Sequence, residues 1–331
     1  MVPPAASSED RIRFKPEKVK WICIKGAIML KNTLLSMAQN ESIRNFVLTN
    51  RATRGVSQRF VAGEDLASAI EATRALNQQG LHVSLDYLGE NVSDEKEALA
   101  TAEAYTEMLS QIKATGVDAN ISIKLTALGL DTSRELCDKN VKQILQHAQQ
   151  FPLFVRIDME GSAYTERTID TTLRMHDQFE YVGTVIQSCL YRSKQDVEQM
   201  IAQGVRVRLV KGAYKEPKSV AFQNKSEVDH NYIRLMTALI LRGNYPALAT
   251  HDEAIINATC KYARDNGVSQ GSFEFQMLYG IRRDLQARLV KQGYNVRVYV
   301  PYGSQWYPYL VRRMAERPAN LVFVMSNAVR R

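Results

Sequence analysis

The chain is poor in the residues that staple small or extracellular folds. Its four cysteines, Cys23, Cys137, Cys189 and Cys260, lie 114, 52 and 71 residues apart, so no Cys-x-x-Cys pair exists. That spacing encodes neither a zinc knuckle nor a redox dithiol, and it suits a reducing compartment. The five histidines (His82, His147, His176, His230, His251) never stand four apart, which argues against a helical zinc site, and no metal is expected. No apolar run approaches the ~20 residues of a membrane span. The stretch 21–30 is broken by Lys25 and has no convincing cleavage site, so it does not read as a signal peptide. With 17 glycines and 9 prolines in 331 residues, collagen-like and low-complexity chains are excluded. Both common phosphate loops, G-x-G-x-x-G and G-x-x-x-x-G-K-[ST], are also missing.

What remains is a globular composition, 45% hydrophobic and 24% charged, with enough apolar material for a large core. The formal charge is +8, from 43 basic and 35 acidic residues. Six of the basic and three of the acidic residues lie in 1–28, leaving an unremarkable 37 against 32. No basic run interleaved with aromatics appears, so nucleic acid is not an expected partner. An anionic membrane surface is the competing reading of the excess. Met29 makes a natural start, and residues 1–28 are expected to be a disordered leader. Residues 29–78 look helical throughout and are expected to form an arm before the main domain at 79–325.

From residue 81 onward a strand-and-helix pattern recurs. Strand-like segments stand at 81–89 (LHVSLDYLG), 119–128 (ANISIKLTAL), 153–161 (LFVRIDMEG) and 182–192 (VGTVIQSCLYR). Four more stand at 205–214 (VRVRLVKGAY), 245–253 (YPALATHDE), 272–280 (SFEFQMLYG) and 295–303 (NVRVYVPYG). Each is short, rich in β-branched or aromatic residues, and bounded by turn residues. Segments with helical spacing, such as 94–115, 134–149, 228–242 and 281–293, lie between them. Eight strands alternating with helices predict an α/β fold, a (β/α)8 TIM-like barrel.

In a barrel, chemistry belongs at the carboxyl ends of the strands. Those ends carry Lys124, Asp158 and Glu160, Gln187 and Ser188, Arg208 and Lys211, Thr250-His251-Asp252, and Gln276. Alternation in the second strand turns Ile121, Ile123 and Leu125 outward and Ser122, Lys124 and Thr126 inward. A lone inward cation is more often a structural ion pair than a catalyst. Lys124, Arg208, Lys211 and His251 converging on one rim with only a few carboxylates would be costly without a further anion, which points to an anionic ligand. Gly212, in the Lys211-Gly212-Ala213 turn, permits close backbone approach there. After the last strand, Tyr309, Arg312, Arg313 and Glu316 share one helix face. Two adjacent guanidiniums can clamp a carboxylate, but the same spacing fits a solvated helix with an Arg–Glu pair.

Six motifs, ISIKLTALGLD (121–131), VRIDME (155–160), VRLVKGAYKE (207–216), ATHDE (249–253), FEFQMLYGIR (273–282) and YLVRRMAERP (309–318), follow one another in order. Together they resemble the monofunctional bacterial proline dehydrogenases, from about residue 30 to residue 321. The resemblance implies a distorted barrel with its last helix over the mouth, an FAD cofactor, L-proline as substrate and 1-pyrroline-5-carboxylate as product. It further implies a membrane quinone as electron acceptor, a pyrroline-5-carboxylate dehydrogenase as partner, and a cytoplasmic location, peripheral on the inner face of the membrane. By the same resemblance Arg312, Arg313 and Lys124 match the grip on the proline carboxylate, and Glu316 pairs with that clamp. Tyr309 and Leu278 match walls of the ring, with Tyr214 nearby. Asp158 and Arg208 match catalytic positions, Arg208 beside flavin N5. Met159, Gln187, Lys211, Gly212, Ala213, Thr250 and His251 match flavin contacts. A sister activity on hydroxyproline goes with loss of the clamp tyrosine, so Tyr309 speaks against it. A non-catalytic anion-binding barrel is disfavoured by the intact set.

Overall fold

The computed structural model describes residues 59–89, 92 and 94–316, with side chains as far as Val311. Residues 57–306 form one compact unit, while 307–331 belong with 1–56 to a second.

Eight parallel strands close into a barrel in sequence order: β1 His82–Tyr87, β2 Ala119–Ile123, β3 Val155–Ile157, β4 Val182–Gln187, β5 Arg206–Val210, β6 Ala247–Ala249, β7 Glu274–Leu278 and β8 Asn295–Tyr302. The ring shuts through β1 and β8, with Leu85 opposite Val300. The helices are α1 Leu66–Asn77, α2 Glu95–Thr115, α3 Arg134–Gln150, α4 Thr165–His176, α5 Ser193–Ala202, α6 Lys225–Arg242, α7 Glu253–Asp265, α8 Arg283–Lys291 and α9 Trp306–Glu316. Their starts are set by short polar side chains. Asp94 accepts from the Glu97 amide, Ser133 from that of Leu136, and Asn224 with Glu227 closes a capping box. No helix among the described residues is long and apolar enough to cross a membrane.

All eight expected strands exist, each shorter than its apolar pattern. The second ends at Ile123, and Thr126–Leu128 turns as a 3-10 helix instead of extending the strand. Leu125 is therefore buried in a turn. Of the expected arm, only 59–78 falls within the described residues, and 59–65 is not helical. That segment laces across the carboxyl rim: Ala62 N–H donates to the Pro301 carbonyl, and Gly303 N–H to that of Gly63. Gly280, at φ 74°, lets it pass, because a Cβ there would lie 1.8 Å from the Arg59 carbonyl oxygen. α1 then packs against β1 and β8, placing Ala69 and Ile70 in the core. It covers the seam that a helix after β8 fills in a regular barrel. The expected leader 1–28 lies outside the described residues.

Strand alternation divides the barrel wall. Outward residues such as Leu85, Ile121, Ile157, Leu209, Phe275 and Val298 are fully buried against the helices. Inward residues are polar and large beside very small ones. Arg208 stands next to Ala247 in register, and Arg156 next to Gly183.

Candidate active site

The best-connected side chain of the lumen is Arg208, 5% exposed on β5. Its Nη1 donates to Asp158 Oδ1 at 2.6 Å, and its Nη2 to the hydroxyls of Ser122 (3.0 Å) and Ser84 (3.3 Å). The second oxygen of Asp158 accepts from the Tyr299 hydroxyl at 2.8 Å. The Arg208 guanidinium also lies 5.2 Å from the centre of the Tyr299 ring, within cation–π range. Burial, with Asp158 beside it, pushes the Tyr299 hydroxyl well above its usual value, so it remains a neutral donor. Four strands thus hold one ion pair, joined by Asp158 just past the end of a fifth, β3. Such a pair keeps its geometry because every competing rotamer would strand a buried charge.

A second buried pair lies beside it. Lys124, at the turn after β2, donates to Asp86 of β1 at 2.6 Å, and both residues are buried. Glu160, past β3, accepts from the backbone N–H and hydroxyl of Thr126, which fixes the neighbouring loop.

The β4–β6 side of the rim is built around a glycine. Gly212 takes φ 119°, and a Cβ there would fall 2.4 Å from Cys189 Sγ. Only glycine fits, and the Lys211-Gly212-Ala213 backbone is left open to close approach. The Lys211 ammonium sits between Asp229 (2.5 Å) and Asp252 (2.8 Å), with Lys225 closing the group. The hydrogen bond from Lys211 pulls the Asp252 carboxyl down to about 2. Thr250 accepts from the Asp252 amide through its hydroxyl. His251 Nε2 accepts from the Leu278 amide at 2.9 Å, so the neutral ring carries its proton on Nδ1. Gln187 donates to the Glu160 carbonyl. Met159 is buried at the edge of the core, and Tyr214 is half exposed on the loop after β5.

The expected residues from β2 to β7 therefore gather at one end of the barrel. One premise fails. The rim cations do not lack counterions, because Lys124, Arg208 and Lys211 each have carboxylate partners within the chain. Asp86 and Tyr299 were not among the expected residues. The alternation of SLDY and VRVYVPY puts both inside the barrel, and that signal was sufficient to find them. On α9, Tyr309 is buried along with Leu310 and Val311, unlike the outer face of a solvated helix. The side chains of Arg312, Arg313 and Glu316 lie outside the described residues.

Among the described residues Arg208 Nε and Gln276 Oε1 are a buried donor and acceptor without partners, and the Gly212 turn leaves backbone open to an anion at the rim.

Comparison with known proteins gives the family. A family model described as proline dehydrogenase matches residues 69–326. Proline dehydrogenase 1 of Bacillus subtilis subsp. natto is 42% identical over 303 residues, covering 92% of this chain and all of that one. The proline dehydrogenase of Deinococcus radiodurans is 37% identical, over 91% of this chain and 98% of its own length. Among solved structures, proline utilization A (PutA) from Bdellovibrio bacteriovorus inactivated by N-propargylglycine shares the fold, with a TM-score of 0.76 at 24% identity. That match covers 86% of this chain and 38% of the other. Taken with the barrel and its rim, these matches show that the chain belongs to the proline dehydrogenase family.

Proposed function

We propose that this proline dehydrogenase binds FAD, converts L-proline to 1-pyrroline-5-carboxylate, and delivers the electrons to a membrane quinone. The observation that carries the reading is the Arg208–Asp158 pair, buried and held by Tyr299, Ser84 and Ser122 where barrel enzymes do their chemistry. When bound, FAD supplies the acceptor for the hydride leaving the carbon next to the ring nitrogen.

The chain's own residues do the rest. Arg208 places a fixed positive charge where negative charge develops, without reorganising. Lys124, held by Asp86, joins Arg312 and Arg313 in gripping the substrate carboxylate, while Glu316 restrains the clamp. Tyr309 and Leu278 wall the ring, with Tyr214 at the edge, so the reacting carbon is oriented before the reaction begins. Gln187, Met159, Thr250, His251 and the Lys211-Gly212-Ala213 turn hold the cofactor. The substrate amine must be neutral to react, so turnover rises with pH.

The product suits a separate pyrroline-5-carboxylate dehydrogenase, and a quinone acceptor suits a cytoplasmic protein working at the inner membrane face. The test is turnover of L-proline by the purified protein with an artificial quinone, together with identification of any flavin released on denaturation. Absence of flavin, or of proline-dependent quinone reduction, overturns the proposal.

A further inference from the structure

The lumen holds three ion pairs but five cations. Lys124 is matched by Asp86, Arg208 by Asp158, and Arg297 by Glu274 at 3.0 Å. Arg156 of β3 and Arg206 at the start of β5 have no carboxylate within ion-pair distance among the described residues. Arg156 is 2% exposed. Among the described residues its Nη1 donates only to backbone carbonyls, those of Arg206 (2.7 Å) and Thr184 (3.0 Å), and its Nε has no partner. Residue 183 beside it is glycine, where a Cβ would lie 2.4 Å from the Arg206 carbonyl oxygen, 2.8 Å from the Phe154 ring and 3.1 Å from Arg156 Nη1. Both guanidiniums lie near the Phe154 ring, Arg156 at 4.7 Å and Arg206 at 5.1 Å, and Arg206 also lies over Tyr245 at 4.5 Å.

This is an expensive way to fill a barrel. Layers of Val, Ile and Leu do so without charge, and a buried cation held by carbonyls and a ring recovers only part of its lost hydration. A guanidinium does not escape by losing its proton. Arg156 stands beside Ser122 in register, whose hydroxyl accepts from Arg208; burial and the charges of Arg208 and Arg206 work against Arg156, while Glu274 and Asp158 offset part of that. Between groups buried this deeply that field is weakly screened, and it acts on what sits beside Arg208.

We propose that Arg156, with Arg206 as a weaker second, raises the reduction potential of the bound flavin by favouring the extra negative charge of its reduced form. The inference rests on the cofactor reading above. Arg156 acts through the field around Arg208 and is a positioning residue, not a catalytic one.

The test compares Arg156→Gln, Arg156→Lys and Arg206→Gln with the wild-type holoenzyme. Flavin content, thermal unfolding and flavin midpoint potential, the last by dye equilibration, are measured on each. Arg156→Gln should retain flavin and shift the potential to more negative values. Arg156→Lys should restore it, and Arg206→Gln should shift it less in the same direction. An unchanged potential in flavin-loaded Arg156→Gln overturns the inference, as does an equal shift in the Gln and Lys variants, which would make packing the cause. If Arg156→Gln does not fold, Arg206→Gln decides alone by the same criterion. A wild-type protein purified without flavin contradicts the cofactor reading before any variant is made.

Discussion

The two faces of the barrel wall obey opposite rules. Outside, between strands and helices, Leu85, Ile121, Val155, Leu209 and Phe275 form an unbroken apolar sheath. Inside, Arg208, Asp158, Lys124, Asp86, Arg297 and Glu274 replace the branched aliphatics of an ordinary barrel. Burial in the sheath stabilises through area, whereas the lumen gains little from its ion pairs once desolvation is counted. The sheath makes the fold and the lumen draws on it. Substitutions on the two faces should therefore fail differently.

The largest effect is expected at Arg208. Arg208→Met leaves Asp158 buried without its cation, a loss of about 3–5 kcal/mol. It also removes a preorganised charge, so kcat should fall by about 10²–10³-fold. Thermal unfolding and steady-state kinetics check both, and near-normal kcat would break the comparison. Leu85→Ala is the counterpart from the sheath. It should cost about 2–5 kcal/mol in unfolding free energy, with kcat at low temperature nearly unchanged.

Smaller effects sharpen the picture at the rim. Arg312→Ala or Arg313→Ala should raise KM for proline about 10–100-fold with flavin retained, from a charge-assisted bond of about 1.5–3 kcal/mol. A normal KM in either variant removes the clamp. Tyr299→Phe deletes the hydrogen bond to Asp158 but keeps the ring over Arg208, so kcat/KM should drop by roughly tenfold, with KM less affected than kcat. The weakest effect concerns pH. The Asp252 carboxyl is depressed to about 2 by Lys211. Its contribution is present above the unfolded value near 4 and is lost as pH falls through about 2. Flavin retention should thus survive mild acid and fail only between about pH 4 and pH 2, as followed by absorbance after desalting.

The apolar sheath was the legible part. β-Branched runs at regular intervals located all eight strands, because outward positions must be apolar whatever the function. Lumen contacts were less legible. Lys124 finds Asp86 across 38 positions and Arg208 finds Asp158 across 50, and nothing local announces such pairings. Alternation put Ser122 and Lys124 inside correctly, and Asp158 and Asp252 were seen at the rim, but the partners Asp86 and Asp229 were not. The true excess sits deeper, on Arg156 and Arg206. Helical spacing in 29–78 also gave no warning that 59–65 would cross the rim as a non-helical strap, since its course depends on Gly280 far along the chain.

The most direct test of the central claim, that the charged lumen oxidises proline through a bound flavin, is an anaerobic titration of the purified protein with L-proline. The flavin absorbance should bleach on addition of proline, promptly in the wild type and at least a hundredfold more slowly in Arg208→Met. A wild-type flavin that stays oxidised under saturating proline would contradict the account.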